Sequence, residues 1–537
     1  MYRAVPTAHD AVVNRKSKLI SVVLIAAGLT ACTAVVDDDR AEVRVDTGVL
    51  EGDRTADYRL FQGIPYAAPP VGELRWRAPE PAASWSGTRN AHAPGPRCMQ
   101  FDKGPGSRII GGEDCLYLNV TAPNGAAPKR PKPVMVELHG GGFHSGSGDE
   151  MNARRLAVRG DVVVVTVNYR LGALGYFGYP GLPESGSFAA QDQVAALRWV
   201  RRNISAFGGD PGNVTLFGQS AGAYSTCALL TSPAAEGLFH RAIVQSGSCM
   251  MSSPKGIAVE GVEIPSVYLA QDVVEQYHKH LLSSANIGCG DAPDPLKCLR
   301  ALPAEALMPL HESVISPVFG SSVLPENPAA SLRAGRFADV PVMIGNTRDE
   351  ELSRASLPMT QEDYTRRLRE AFGDNASRVA EEYSASGYGT VPRAWSALST
   401  DRLWTWPSAV AADLISRRTT VYNYEFADPH PPAELAREFG VDPAIPGAFH
   451  GSEIASLFPE PGVLTPEQAE LSDAMIAYWT NFARTGDPNG PGLPGWKPFA
   501  TNGTTPFTLG LAPGAGGIAP IDSRSGHHLD LWDALAR

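Results

Sequence analysis

The chain has 537 residues, 43% of them hydrophobic and 19% charged, with a formal net charge of −11. That apolar content can fill a sizeable core and excludes global disorder, and the acidic balance lacks the basic surface that nucleic-acid phosphates require. The 54 glycines and 45 prolines are spread without a repeat, which excludes a fibre and suits a loop-rich globular protein.

The N-terminus predicts a leader. Arg15, Lys16 and Lys18 precede an apolar run from Leu19 to Leu29, interrupted by Ser21. The run falls short of the ~20 apolar residues a membrane span needs. A basic region followed by a short apolar one predicts a secretory signal peptide over residues 1–31. Leu29-Thr30-Ala31-Cys32 resembles the lipobox of bacterial lipoproteins. That resemblance implies cleavage before Cys32 and acylation of its thiol, with several hydrocarbon chains holding the protein at a membrane surface. Ordinary cleavage and release is the alternative. Residues 32–42, rich in small and acidic side chains, form the tether, and 43–537 are expected to make a single domain.

Beyond Val43, apolar runs of strand length recur at Val134–Leu138, Val162–Val167, Val214–Phe217, Ala242–Val244, Val342–Ile344 and Val421–Phe426. Helical spacing of apolar residues appears between some of them, at Ala189–Ile204 and Leu471–Ala483. Continuous Val/Ile runs alternating with helices predict an α/β fold with a mostly parallel sheet covered on both faces. The stretches at about 250–335 and 352–400 read as long Pro- and Gly-rich excursions from that core.

The strongest local signal is Gly218-Gln219-Ser220-Ala221-Gly222. It follows the strand-like run Asn213–Phe217 and precedes a helix-like run, Ala223–Leu230. A G-x-S-x-G sequence in that setting is a nucleophile elbow: the sharp turn exposes the Ser220 hydroxyl and aims the Ala221 amide at a developing oxyanion. His139-Gly140-Gly141-Gly142-Phe143 ends another strand. Its glycines let the Gly141 and Gly142 amides approach a ligand, which suits the rest of an oxyanion hole. The run lacks the Lys-Ser/Thr of a phosphate-binding loop.

A nucleophilic serine needs a base, and the base an orienting acid. In this chain order both follow the serine. The later histidines are His240, His278, His280, His311, His430, His450, His527 and His528. His450, in the small-residue loop Gly447–Glu453, suits presentation at a sheet edge. Asp349, Glu350 and Glu351 all follow the strand at Val342–Ile344, and local pattern does not choose among them.

Taken together, the motifs resemble the type-B carboxylesterase family, which includes para-nitrobenzyl esterases and cholinesterases. The resemblance spans about residues 43–535. It rests on Phe61–Ala67, Pro70–Trp76, Glu113–Val120, the HGGGF run, Asn168-Tyr169-Arg170, Gly209-Asp210-Pro211, the elbow and Phe482–Pro488. It implies an α/β-hydrolase fold whose insertions form a substrate gorge. It also implies a serine esterase acting on small-molecule esters without metal or cofactor. Within the family pattern G-x-x-x-D-E, Gly345–Glu350 selects Glu350 as the acid, although Glu351 stands where glycine is usual. Gly447–Glu453 matches G-x-x-H-x-x-E and selects His450. Ser246 matches a serine supporting acid and base. Arg75 with Glu113, and Arg170 with Asp192, match structural ion pairs. Neuroligin-like relatives bind without catalysis, but Ser220, Glu350 and His450 all stand here. Lipase or amidase specificity stays open within the same mechanism.

Two departures bear on substrate. Gln219 stands where many relatives carry Glu, and the loop between Cys98 and Cys115 has no Trp to face a quaternary ammonium. A choline ester is therefore not the expected preferred substrate. His144 is expected either to line the gorge or to be structural. His278 with His280, and His527 with His528, are read as surface histidines and not as metal ligands.

The seven cysteines are an odd number. Acylation of Cys32 would leave six in an oxidising compartment. The resemblance implies bridges Cys98–Cys115 and Cys289–Cys298. For Cys227 and Cys249, small buried thiols are the favoured expectation over a third bridge.

Overall fold

The Val/Ile-rich runs become the centre of one sheet. The computed structural model describes residues 39–102, 106–127, 129–284, 287–499 and 506–536. The expected signal peptide, Cys32 and nearly all of the tether lie outside them. Among the described residues thirteen strands form the main sheet: β1 (Arg40–Val45), β2 (Gly48–Arg54), β3 (Tyr58–Pro65), β4 (Thr88–Asn90), β5 (Tyr117–Pro123), β6 (Lys132–Leu138), β7 (Val163–Val167), β8 (Gly209–Gln219), β9 (Arg241–Gln245), β10 (Val342–Thr347), β11 (Val421–Phe426), β12 (Thr508–Leu511) and β13 (Ile518–Ile521). Their order is β1-β2-β3-β5-β7-β6-β8-β9-β10-β11-β12-β13, with β4 beside β2. Strands from β7 to β12 run parallel, and pairing toward both edges is antiparallel except that β4 lies parallel to β2.

Burial explains the division. In β6, Val134, Val136 and Leu138 join the larger core while Met135 joins the core on the opposite face. A strand covered on both faces needs apolar residues throughout, which is why these runs read as continuous. At the edge, β1 alternates exposed and buried residues, as a strand with one wet face does. Helix α1 (Phe188–Asn203) and helix α2 (Ala221–Leu230) contribute to the larger core.

The 352–400 excursion is more regular than its sequence suggests. Helix α3 (Gln361–Phe372) and helix α4 (Val391–Thr400) pack Tyr364, Leu368, Trp395 and Leu398 into a separate cluster. Next comes one turn of π-helix, Asp401–Thr405, and then α5 (Trp406–Ser416). Pro407 has no N–H for the carbonyl four residues back, and the Trp406 amide instead reaches Asp401, five back. Helix α6 (Pro466–Thr485) starts on a capping box between Thr465 and Gln468 and ends at Gly486, whose φ is 84°. Its Leu471, Met475, Trp479 and Phe482 bury against the second face.

Two expectations are corrected. His278 and His527 are buried and not on the surface, whereas His280 is exposed. The His278 ring accepts the Gly178 amide at 2.9 Å, and His527 lies between two carboxylates. Cys227 and Cys249 form a third disulfide beside Cys98–Cys115 and Cys289–Cys298. The elbow helix α2 and the chain beyond β9 meet at that point, a proximity no local pattern encodes. The Arg75–Glu113 and Arg170–Asp192 pairs are present and largely buried.

Candidate active site

The three side chains singled out by sequence meet at the C-terminal edge of the parallel strands. Ser220 follows β8 directly, at φ 56° and ψ −119°, outside the regions non-glycine residues favour. The flanking glycines make this turn possible. A Cβ at Gly222 would overlap the Leu138 carbonyl oxygen, and one at Gly218 would lie 2.5 Å from the Gly222 backbone. The Ser220 amide donates to the Gln245 carbonyl at 3.0 Å, tying the turn to β9.

His450 Nε2 lies 2.8 Å from Ser220 Oγ, and His450 Nδ1 lies 2.5 Å from Glu350 Oε2. A carboxylate only accepts, so the ring proton sits on Nδ1 and Nε2 presents its lone pair to the hydroxyl. The other Glu350 oxygen accepts the Thr347 amide at 2.9 Å. The Glu350 side chain is fully buried and that of His450 is 22% exposed, so the imidazole alone of this pair faces solvent.

Of the three acids left open by sequence, Glu350 reaches the ring. Asp349 accepts the Ala448 amide at 2.9 Å and the Arg348 guanidinium at 3.0 Å. Glu351 accepts the Trp404 indole N–H at 2.8 Å and pairs with Arg354. Ser246 is buried below, 3.5 Å from Glu453 Oε1.

Burial pushes the His450 pKa down, but the charge and hydrogen bond of Glu350 outweigh it, with Glu453 and Glu351 adding to them, and the net shift is upward. Burial also raises the Glu453 carboxyl to about 7, with the Glu350 charge acting in the same direction.

Across Ser220, Gly141 and Gly142 have φ values of 101° and 60°. No hydrogen bond to another described residue occupies the amides of Gly141, Gly142 or Ala221. Helix α2 starts at Ala221, so positive potential from its terminus falls on the same point. The arrangement can hold an anionic oxygen beside an activated hydroxyl.

Ser220 and His450 open into a cavity of about 800 Å³. Phe101, Met151, Phe439 and Phe458 supply apolar wall, and His144 lines it beside the glycine loop. The His144 ring is half-buried, and burial keeps its pKa low. The wall also carries Asp102, Glu150, Glu434, Glu438 and Glu460 with Arg97; Asp102 pairs with Arg108, and Arg97 with Asp149 and Glu150. Gln219 Nε2 lies 3.4 Å from His450 Nε2.

Local sequence missed Trp404, whose ring centroid lies 4.6 Å from that of His450. Pro407 marks an irregular helix here, but the approach to His450 depends on a contact across 46 residues of chain.

A mostly parallel sheet bearing a serine on a strand–helix elbow, facing a glycine-rich amide loop, defines an α/β hydrolase. The model of the "Carboxylesterase family" matches residues 39–516, and the chain belongs to this family of carboxylic ester hydrolases. It is 34% identical to para-nitrobenzyl esterase of Bacillus subtilis over 472 residues, covering 83% of this chain and 90% of that protein. It is 36% identical to carboxylesterase 5A of Felis catus over 482 residues, covering 83% and 85%. A solved PNB esterase structure superposes with a TM-score of 0.73 at 32% identity, covering 91% of this chain and 99% of that one.

Proposed function

We propose that this carboxylesterase hydrolyses small carboxylic esters through an acyl-enzyme on Ser220. The carrying observation is the unbroken chain from Ser220 Oγ through His450 to Glu350, at 2.8 and 2.5 Å, open to an 800 Å³ cavity. Neutral His450 takes the hydroxyl proton as Oγ attacks the ester carbonyl, and Glu350 stabilises the imidazolium formed. The tetrahedral oxyanion is held by the amides of Gly141, Gly142 and Ala221. His450 returns the proton to the departing alcohol, and water then releases the acid by the same steps in reverse.

The acidic wall disfavours esters carrying a carboxylate near the scissile bond. The absence of Trp from the Cys98–Cys115 loop and the uncharged Gln219 remain arguments against choline esters. Three disulfides fit an oxidising compartment outside the cytoplasm. In that reading the described body is one domain, carried on a tether from acylated Cys32.

Labelling with a fluorophosphonate tests the mechanism. One covalent adduct on Ser220 is expected, with turnover of p-nitrophenyl butyrate lost in S220A. A folded wild-type protein that neither labels nor turns over that ester overturns the proposal.

A further inference from the structure

Trp404 stands where its ring can act on the charge state of the histidine. The π-helical turn Asp401–Thr405 carries it, with Asp401 gripped by His527 and Tyr383, and Thr405 Oγ1 by Asn346. Its indole N–H donates to Glu351 at 2.8 Å, which fixes the ring plane. The ring centroids of Trp404 and His450 are 4.6 Å apart and the planes 42° from each other. Glu351 is in turn held by Arg354 and by Thr400 Oγ1, which accepts its amide. A π turn between two α-helices costs regular hydrogen bonding, and such turns cluster at functional sites.

We infer that Trp404, held by Glu351, is a positioning residue that stabilises the imidazolium form of His450 through its ring face. The inference deepens the proposed mechanism and rests on it. When His450 accepts the Ser220 proton, positive charge appears beside an indole whose face carries negative potential. The Glu351 carboxylate on the indole N–H strengthens that face. This contact gains strength only as the charge forms, so it lowers the barrier more than it aids substrate binding. Glu351, which departs from the usual glycine, thereby has a role distinct from that of the acid.

Other charges bear on His450 as well. Glu350 and Glu453 act from its own hydrogen-bonded surroundings, and Glu351 acts from behind Trp404. Asp349 lies on the adjoining loop, the Tyr224 phenol packs near Trp404, and His139, Glu434, Glu438 and Glu460 share the cavity. Phe and Leu both take the indole N–H from Glu351, so the difference between the two variants reads the ring face alone.

The experiment compares kcat and KM for p-nitrophenyl butyrate from pH 5 to 9 in wild type, W404F and W404L. Leu keeps apolar bulk but has no ring face; Phe restores one. In W404L, kcat should fall about 3- to 30-fold with KM within about 2-fold, and the acid limb should move to lower pH by about half a unit to one unit. W404F should recover most of both. A W404L limb at the wild-type pH, or equal losses in W404F and W404L, overturns the inference. If W404L fails to fold, a W404F profile with its limb displaced upward does so instead. Loss of the mechanism itself would appear separately, as wild-type protein unlabelled by fluorophosphonate or S220A with undiminished turnover.

Discussion

Among the described histidines that sit against carboxylates, His450 and His527 are built for opposite ends. His450 gives Nδ1 to Glu350 and leaves Nε2 to a neutral hydroxyl, with 22% of its side chain exposed. His527 gives Nδ1 to Asp401 at 2.5 Å and Nε2 to Glu425 at 2.7 Å, with 7% exposed. With acceptors on both nitrogens, His527 has no lone pair to offer. Burial pushes its pKa down, but the two carboxylates outweigh this and hold it well above the ordinary value. The first histidine can exchange a proton. The second is a fixed cation joining β11, the π turn and the segment ahead of the last helix, Leu529–Leu535. One carboxylate leaves a ring nitrogen to the hydroxyl; two make a clamp.

Breaking the reactive side should have the largest effect. S220A or H450A should lower kcat by roughly 10⁴- to 10⁶-fold with little change in melting temperature, read in ester turnover and thermal unfolding. E350Q should follow, at about 10⁴-fold, because an amide no longer selects the Nδ1–H tautomer.

Breaking the clamp should show the reverse pattern. H527A leaves Asp401 and Glu425 facing each other in the core and should cost about 3–5 kcal/mol of stability in denaturant unfolding. Turnover per folded molecule should fall by no more than the W404L loss, because Tyr383 still holds Asp401.

pH sharpens the contrast. Because folding raises the His527 pKa, its contribution is complete below its unfolded value of ~6.5 and is lost as pH rises through the folded one. Wild type should therefore lose unfolding free energy above neutrality, and H527A should show a flatter dependence. At His450 the sign concerns activity: kcat/KM should fall as pH drops through a value above ~6.5, where Nε2 becomes protonated. A profile flat from pH 5 to 9 would count against a histidine base.

The sequence displayed the parts of the site that local geometry controls. The elbow needs glycines on both sides of Ser220 because Leu138 and the turn's own backbone crowd those positions, and that need is written in five consecutive residues. Strands β6 to β11 were legible because burial on both faces demands continuous apolar runs. Glu350 was not separable from Asp349 and Glu351 by pattern, since all three follow β10 and only the turn geometry decides which reaches His450. The clamp was invisible for a related reason. His527 finds its partners across 126 and 102 residues of sequence, and its adjacency to His528 suggested a surface pair. The third disulfide likewise depends on the elbow helix meeting the chain beyond β9.

One wall of the cavity is stapled. Gln100, Phe101, Asp102 and Ile110 face Ser220's cavity from inside the loop that Cys98–Cys115 closes, whereas the elbow helix carries a bridge of its own, Cys227–Cys249. The elbow and the cavity wall are thus secured by separate bridges. A C98S/C115S variant, with the elbow bridge intact, should retain reactivity toward a small fluorophosphonate while losing discrimination among bulky esters. Whether that one loop bridge closed as the chain folded would then be written into the substrate range, as a record of where the chain matured.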